Sequence, residues 1–142
     1  MGLLEEIALR LSSQGVGTTN AGSTGWLLSA WDFSGPSTAN DWQIAIVPTG
    51  GFGAEVSEGT THLTRPTFQT LVRGGTPGGR SSTGLWAKVE ALITALQLYQ
   101  GTLSGHKYLD IQLQGEPSFI GRDANQRPIV SVNWLALRSR TT

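Results

Sequence analysis

Residues 73–84, RGGTPGGRSSTG, carry the spacing nearest to a chemical motif in this chain. Gly74, four residues, Gly79, a basic residue and Ser81 match a phosphate-binding loop except at one position. Such a loop wraps phosphate oxygens in backbone N–H groups, with a lysine reaching the terminal phosphates and a hydroxyl on magnesium. Arg80 stands where the lysine belongs, and a planar guanidinium does not replace an ammonium in a tight loop. No apolar run ends in an aspartate placed to hold magnesium, since Asp110 falls on an alternating pattern and Asp123 in a turn. Loops of this kind also sit in a parallel sheet of several strands, and the pattern here offers one strand–helix–strand unit. The stretch therefore reads as a glycine-rich connector whose Ser81 or Ser82 caps the next helix. A nucleotide-binding protein acting through residues 74–81 is kept as the weaker alternative.

Other constellations are thinner. Ser104 near His106 sets a hydroxyl beside an imidazole, but no third residue to orient the ring is evident. Glu55 and Glu58 lie in a polar stretch, where solvated carboxylates are the default and a general acid would need burial. The two histidines, His62 and His106, lack the i, i+4 spacing of a helical metal pair. With no cysteine, a thiol nucleophile, a disulfide and a Cys-type zinc site are excluded. The expectation is a protein without catalytic residues, metal or cofactor. Among the five tryptophans, Trp26 and Trp134 fall on strand patterns as core residues. Trp31 and Trp42 flank a loop, which makes them candidate interface anchors against a competing core placement. They could also stack on a sugar ring, but no second feature supports a carbohydrate-binding module.

Composition narrows the classes further. Ten basic residues balance ten acidic ones, and charged residues make up 14% of the 142. Nothing in that balance points to a DNA-binding surface or to an acidic membrane. The opening MGLLEEIALRLSSQG has Glu6 where a myristoylation signal needs Ser or Thr, and acidic residues where a signal peptide would be basic. No apolar run reaches membrane-spanning length, so a soluble product of one domain, 1–142, is expected.

The elements that must position these residues follow from periodicity. Leu3, Leu4, Ile7, Ala8 and Leu11 form one face of a first helix, with Glu5, Glu6 and Arg10 on the other. Glu6 and Arg10 form an i, i+4 pair, and Gly15 and Gly17 end the helix. GWLLSAW is the first strand candidate. WQIAIVPT is the second, stopped by Pro48 and the Gly50–Gly51 pair, with a long loop over 50–64 behind it. PTFQTLVR is the third. Leu85, Val89, Leu92, Ile93 and Leu96 mark a second helix, with Gly101 as its stop. YLDIQLQ alternates, predicting Leu109, Ile111 and Leu113 on the core face and Tyr108, Asp110, Gln112 and Gln114 on the wet face. After a turn containing Asp123 and Asn125, IVSVNWLAL is the last strand. The fold class expected is α+β, a mostly antiparallel (mixed) sheet of about five strands with two amphipathic helices packed on it.

Three pieces of this chain resemble a family of tailed-bacteriophage minor capsid or tail terminator proteins: LLEEIALRLSSQGVGT, WQIAIVPTGGFGAE, and GEPSFIGRDANQRPIVSVNWLALR with its Asn133–Trp134 pair. The resemblance runs over roughly residues 3 to 138 and includes no catalytic signature. It implies a non-enzymatic virion protein, assembled in the host cytoplasm, that forms a hexameric ring capping the tail tube at the head–tail junction. Implied partners are further copies of the chain, the tail tube protein and a head–tail connector or adaptor protein. Genomic DNA would pass through the ring without sequence-specific binding. A head-closure or connector adaptor of the same neck region is the alternative. Loop composition then nominates Phe52, Glu55, Glu58, His62, Arg80, Trp31 and Trp42 as the candidate subunit or tube interface, in and around the stretches 50–64 and 73–84.

Overall fold

The computed structural model describes residues 2–17, 27–30, 42–56, 61–75, 82–124 and 126–141. Helix α1 (Leu3–Ser13) buries Leu4, Ile7 and Leu11, the apolar spacing seen in the sequence. It ends at Gly15, whose φ of 73° lies in the left-handed region where glycine carries no Cβ penalty. Gly15 N–H donates to Ser12 O and Val16 N–H to Leu11 O, which together make a Schellman cap. Helix α2 (Ser82–Leu96) buries Leu85, Val89, Leu92 and Leu96. It stops before the expected Gly101. Leu98 turns to a φ of 61° and gives its N–H to Ile111 O at 2.8 Å, so a contact with the sheet pulls the chain out of the helix. Arg10 Nε to Ala95 O (3.0 Å) and Lys88 Nζ to Val16 O (2.8 Å) fasten the two helices together.

Among the described residues the sheet has seven strands where about five were expected: β1 (Leu27–Ala30), β2 (Gln43–Val56), β3 (Thr61–Arg73), β4 (Gly101–Leu103), β5 (His106–Leu113), β6 (Ser118–Arg122) and β7 (Pro128–Thr141). Their order is β1-β2-β3-β7-β5-β4, and β6 lies beside β7. The β1–β2 pair is parallel and every other pair antiparallel, so the α+β class and the mixed sheet hold. The sheet curls into a half-barrel. Strands β4 and β6 escaped sequence reading because one has three residues and the other has mostly exposed side chains, which leaves no apolar period.

Strand β2 runs through Pro48, Gly50 and Gly51 instead of stopping there. Strand β1 pairs only with Gln43–Ile46, so a proline further along breaks no ladder on that side. Register shifts between Pro48 and Gly50, and between Phe52 and Glu55, absorb the irregularity as bulges. The expected loop over 50–64 is therefore largely a hairpin arm, with Gly50–Val56 laid along His62–Thr67 and the far side of Thr61–Thr64 paired with β7. Residues 57–60 fall outside the described residues.

Strand β5 departs from its alternation. A register shift between Tyr108 and Asp110, opposite Arg138 and Leu137, inserts Leu109 as an extra residue. Tyr108 and Ile111 are both fully buried as a result, so Tyr108 is core where the sequence pattern made it wet. At the centre, Trp134 stacks on Phe68 with centroids 6.2 Å apart and planes 14° apart. Its Nε1 donates to Thr70 Oγ1 at 3.0 Å. Trp26 lies outside the described residues.

Candidate functional site

The polar group that the fold positions most firmly is one the sequence placed in solvent. Glu6 is fully buried, and its expected partner Arg10 lies instead over the Tyr99 ring, 4.2 Å from the centroid. Glu6 Oε1 accepts from Tyr108 Oη at 2.6 Å and from Arg138 Nε at 3.0 Å, while Oε2 meets His106 Nδ1 at 2.5 Å. The bulge in β5 puts His106 and Tyr108 on the helix side of the sheet, where α1 delivers the carboxylate. Burial, reinforced by the hydrogen bond to the Glu6 carboxylate and its charge, pushes the Tyr108 phenol far above its ordinary pKa; Arg138 offsets this in part.

A carboxylate on Nδ1 of a histidine is two-thirds of a nucleophile's relay, and Glu6 is the orienting residue missing from the Ser104–His106 reading. Ser104 does not complete it. With φ values of 51° and 85°, Ser104 and Gly105 form the two-residue turn between β4 and β5. Among the described residues Ser104 makes no hydrogen bond to His106. No group of three or more His, Asp or Glu that could hold a metal ion occurs among the described residues. The Glu6 cluster is a fastener that locks α1 onto β5 and β7.

The glycine-rich stretch is tied down at its start. Arg73 is buried, 3.9 Å from Asp123, and Gly74 N–H donates to Pro128 O at 2.8 Å. The first N–H of the would-be phosphate loop is thus spent on β7. Gly75 lies against the Trp42 ring, which a Cβ at this position would meet at 3.1 Å. Asp123 also accepts from Arg127 N–H (2.9 Å) and Arg127 Nε (2.7 Å), closing the turn before β7. At that turn the left-handed residue is Gln126, φ 63°; Asn125 lies outside the described residues.

The candidate interface residues divide by location. Phe52 stands opposite Arg65, Glu55 opposite Leu63, and His62 opposite Val56 and Arg140, so all three belong to the hairpin arm. Trp42 sits just before β2, at the end of that strand opposite to the arm, half-buried against the core. Trp31, Glu58 and Arg80 lie outside the described residues.

Two surface features had no signal in the sequence. The first is a cleft of about 180 Å³ lined by Arg65, Asp110, Gln112, Leu135, Ala136 and Leu137. It opens on the sheet face away from the helices, because Leu135 and Leu137 alternate with the core residues Trp134 and Ala136. The second is the exposed pair Phe119 and Ile120 on β6. Both depend on which strands become neighbours, so hydropathy along the chain could not locate them. Among the described residues no helix is long and apolar enough to cross a membrane.

This fold has a counterpart in a virus-like particle. A chain from the virion of a native gene transfer agent (GTA) particle superposes with a TM-score of 0.60 at 14% identity, over 97% of this chain and 95% of that one. A second solved chain reaches a TM-score of 0.45 at 18% identity, over 95% and 96%. Nineteen solved chains match in all. No protein-family model matches the sequence, and no curated protein does. At 14% identity the GTA likeness is one of fold.

Proposed function

We propose that this chain is a structural, non-enzymatic protein of a tailed-phage-like virion, a tail terminator whose ring caps the tail tube and joins it to the head connector. The observation that carries the reading is the superposition on a GTA virion chain, which leaves almost nothing of either chain unmatched. It agrees with the resemblance of residues 3–138 to tail terminator and minor capsid proteins. The arm built from β2 and β3 supports it further. The end of the sheet carrying Phe52, Glu55 and His62, where β3 lies between β2 and β7, is suited to reach a neighbouring subunit or the tube, and Glu58, Trp31, Trp42 and Arg80 complete the proposed contact set. In this reading the ring is a homohexamer bound to the tail tube protein and the connector, and DNA passes through it without base-specific contacts.

Electron microscopy of the purified protein, alone and mixed with tail tubes, tests the reading. Rings, or caps on tube ends with tube length held fixed, are expected. Binding to isolated connectors with no binding to tubes would move the protein to a head-closure role. Binding to neither would end the proposal. Removal of residues 57–60, which link β2 to β3 in the sequence, should leave the thermal midpoint within a few degrees while abolishing the caps.

A further inference from the structure

Two surface features outside the core complement each other in shape and in sign. Strand β6 presents Phe119 and Ile120, 54% and 56% exposed, where a bulge makes Ile120 the extra residue. Exposed Glu116 precedes this apolar knob and exposed Arg122 follows it. The cleft has a floor of half-buried Leu135 and Leu137, with Arg65 on one wall and Asp110 with Gln112 on the other. Each feature is apolar between one acidic and one basic group. At about 180 Å³ the cleft is of the size of one large apolar side chain.

Their placement decides what kind of contact this is. Phe119 pairs with Val130, a core residue, so it stands on the helix side of the sheet, whereas the cleft opens on the other side. A knob on one face and its hole on the opposite face cannot both be filled in a two-fold dimer through a single patch. They are filled when the front of one copy meets the back of the next, a heterologous contact, which is the kind a cyclic ring repeats.

We infer that the Phe119–Ile120 knob of one subunit docks on the Leu135–Leu137 cleft of the next, one of the two side chains entering it and the other lying over its rim, with Arg122 against Asp110 and Glu116 on the Arg65 side. The occupant of the cleft is a second copy of this chain. This rests on the ring reading above and supplies its subunit contact, which meets the arm at Arg65.

The chain has no cysteine, so disulfide trapping is free of background. Ile120→Cys and Gln112→Cys proteins, mixed in the presence of tail tubes and oxidised, should give a cross-linked dimer. The double variant should give a ladder. Charge exchange gives a second readout: Asp110→Arg should weaken assembly about tenfold, and adding Arg122→Asp in the same chain should restore it. Wild-type rings seen under conditions where neither the mixture nor the double variant cross-links would overturn this contact and leave the ring standing. Cross-linking of Gln112→Cys with itself would replace it with a two-fold contact. Wild-type protein that forms no ring with or without tubes would remove the ring reading and this contact together.

Discussion

Tyr108 Oη donates to Glu6 Oε1 at 2.6 Å, joining residues 102 apart in sequence. Arg138 shares that oxygen and His106 takes the other, so one carboxylate holds α1 against two strands. A carboxylate with no exposed surface is tolerated only when its partners replace water. Glu6→Gln should therefore cost about 3–5 kcal/mol in urea unfolding, the range for breaking a buried ion pair from one side. A double-mutant cycle between Glu6 and Arg138 should show strong coupling, and one between Glu6 and Arg10 should show almost none. A Glu6→Gln loss below about 1 kcal/mol would mean that the cluster is decoration rather than a fastener.

The same contact sets an upper pH limit. The folded protein holds the Tyr108 proton more tightly than the unfolded chain, where the phenol titrates near 10.0. Above that pH the unfolded state binds fewer protons, so stability falls as pH rises; below it, the contribution is fully present. The expected slope approaches about 1.4 kcal/mol per pH unit above pH 10. Tyr108→Phe should be less stable at neutral pH but lose this extra slope. Parallel stability curves for the two proteins between pH 9 and 11 would contradict the assignment.

What the sequence made legible was local. Leu4, Ile7 and Leu11 on α1, Gly15 at its cap, Val89, Leu92 and Leu96 on α2, and Val130, Val132 and Trp134 on β7 each follow from a short period or a single φ requirement. Glu6 was misread because its partners lie at 106, 108 and 138, beyond any helical neighbourhood, while Arg10 sits at the spacing that suggests a pair. Tyr108 was placed on the wrong face because one inserted residue, Leu109, reverses a two-residue period and leaves no mark in composition. Pro48 and Gly50–Gly51 looked like a stop because a proline's cost depends on whether a strand lies beside it, which is a property of the sheet. The knob and the cleft are likewise products of strand order, made by β6 and by β3, β7 and β5.

Thr70 has a polar role inside an apolar core. Its Oγ1 accepts from Trp134 Nε1 at 3.0 Å and donates to Val132 O at 3.4 Å, with no exposed surface. Thr70→Val keeps the volume but leaves the indole N–H without an acceptor, which should cost about 1–3 kcal/mol. Thr70→Ser keeps the hydroxyl and loses a methyl group, at about 1 kcal/mol. Chemical denaturation of both variants should rank Val as the more harmful. The reverse order would show that packing against Phe68 and Trp134, not the hydrogen bond, sets the requirement.

The hairpin arm depends on Gly51, whose φ of 120° is rarely adopted by residues with a side chain. A Cβ there would also run into Arg65 O and Thr67 N, backbone atoms of the paired strand that cannot swing aside. Gly50, at φ 101°, has open space around its would-be Cβ, so substitution there carries the backbone strain without the collision. Gly51→Ala should accordingly cost about 1–3 kcal/mol, concentrated in the arm. Hydrogen exchange should rise for amides across Gly50–Val56, which pair with β3 alone, while Phe68–Arg73, backed by the core, stays protected. Because the proposed ring and tube contacts use this arm, caps on tail tubes should be lost in Gly51→Ala at temperatures where the core remains folded, and Gly50→Ala should retain more of them. Equal protection of both segments in Gly51→Ala would show that β2 and β3 can slip past each other at the bulge, and would remove the arm's rigidity from the argument for its role.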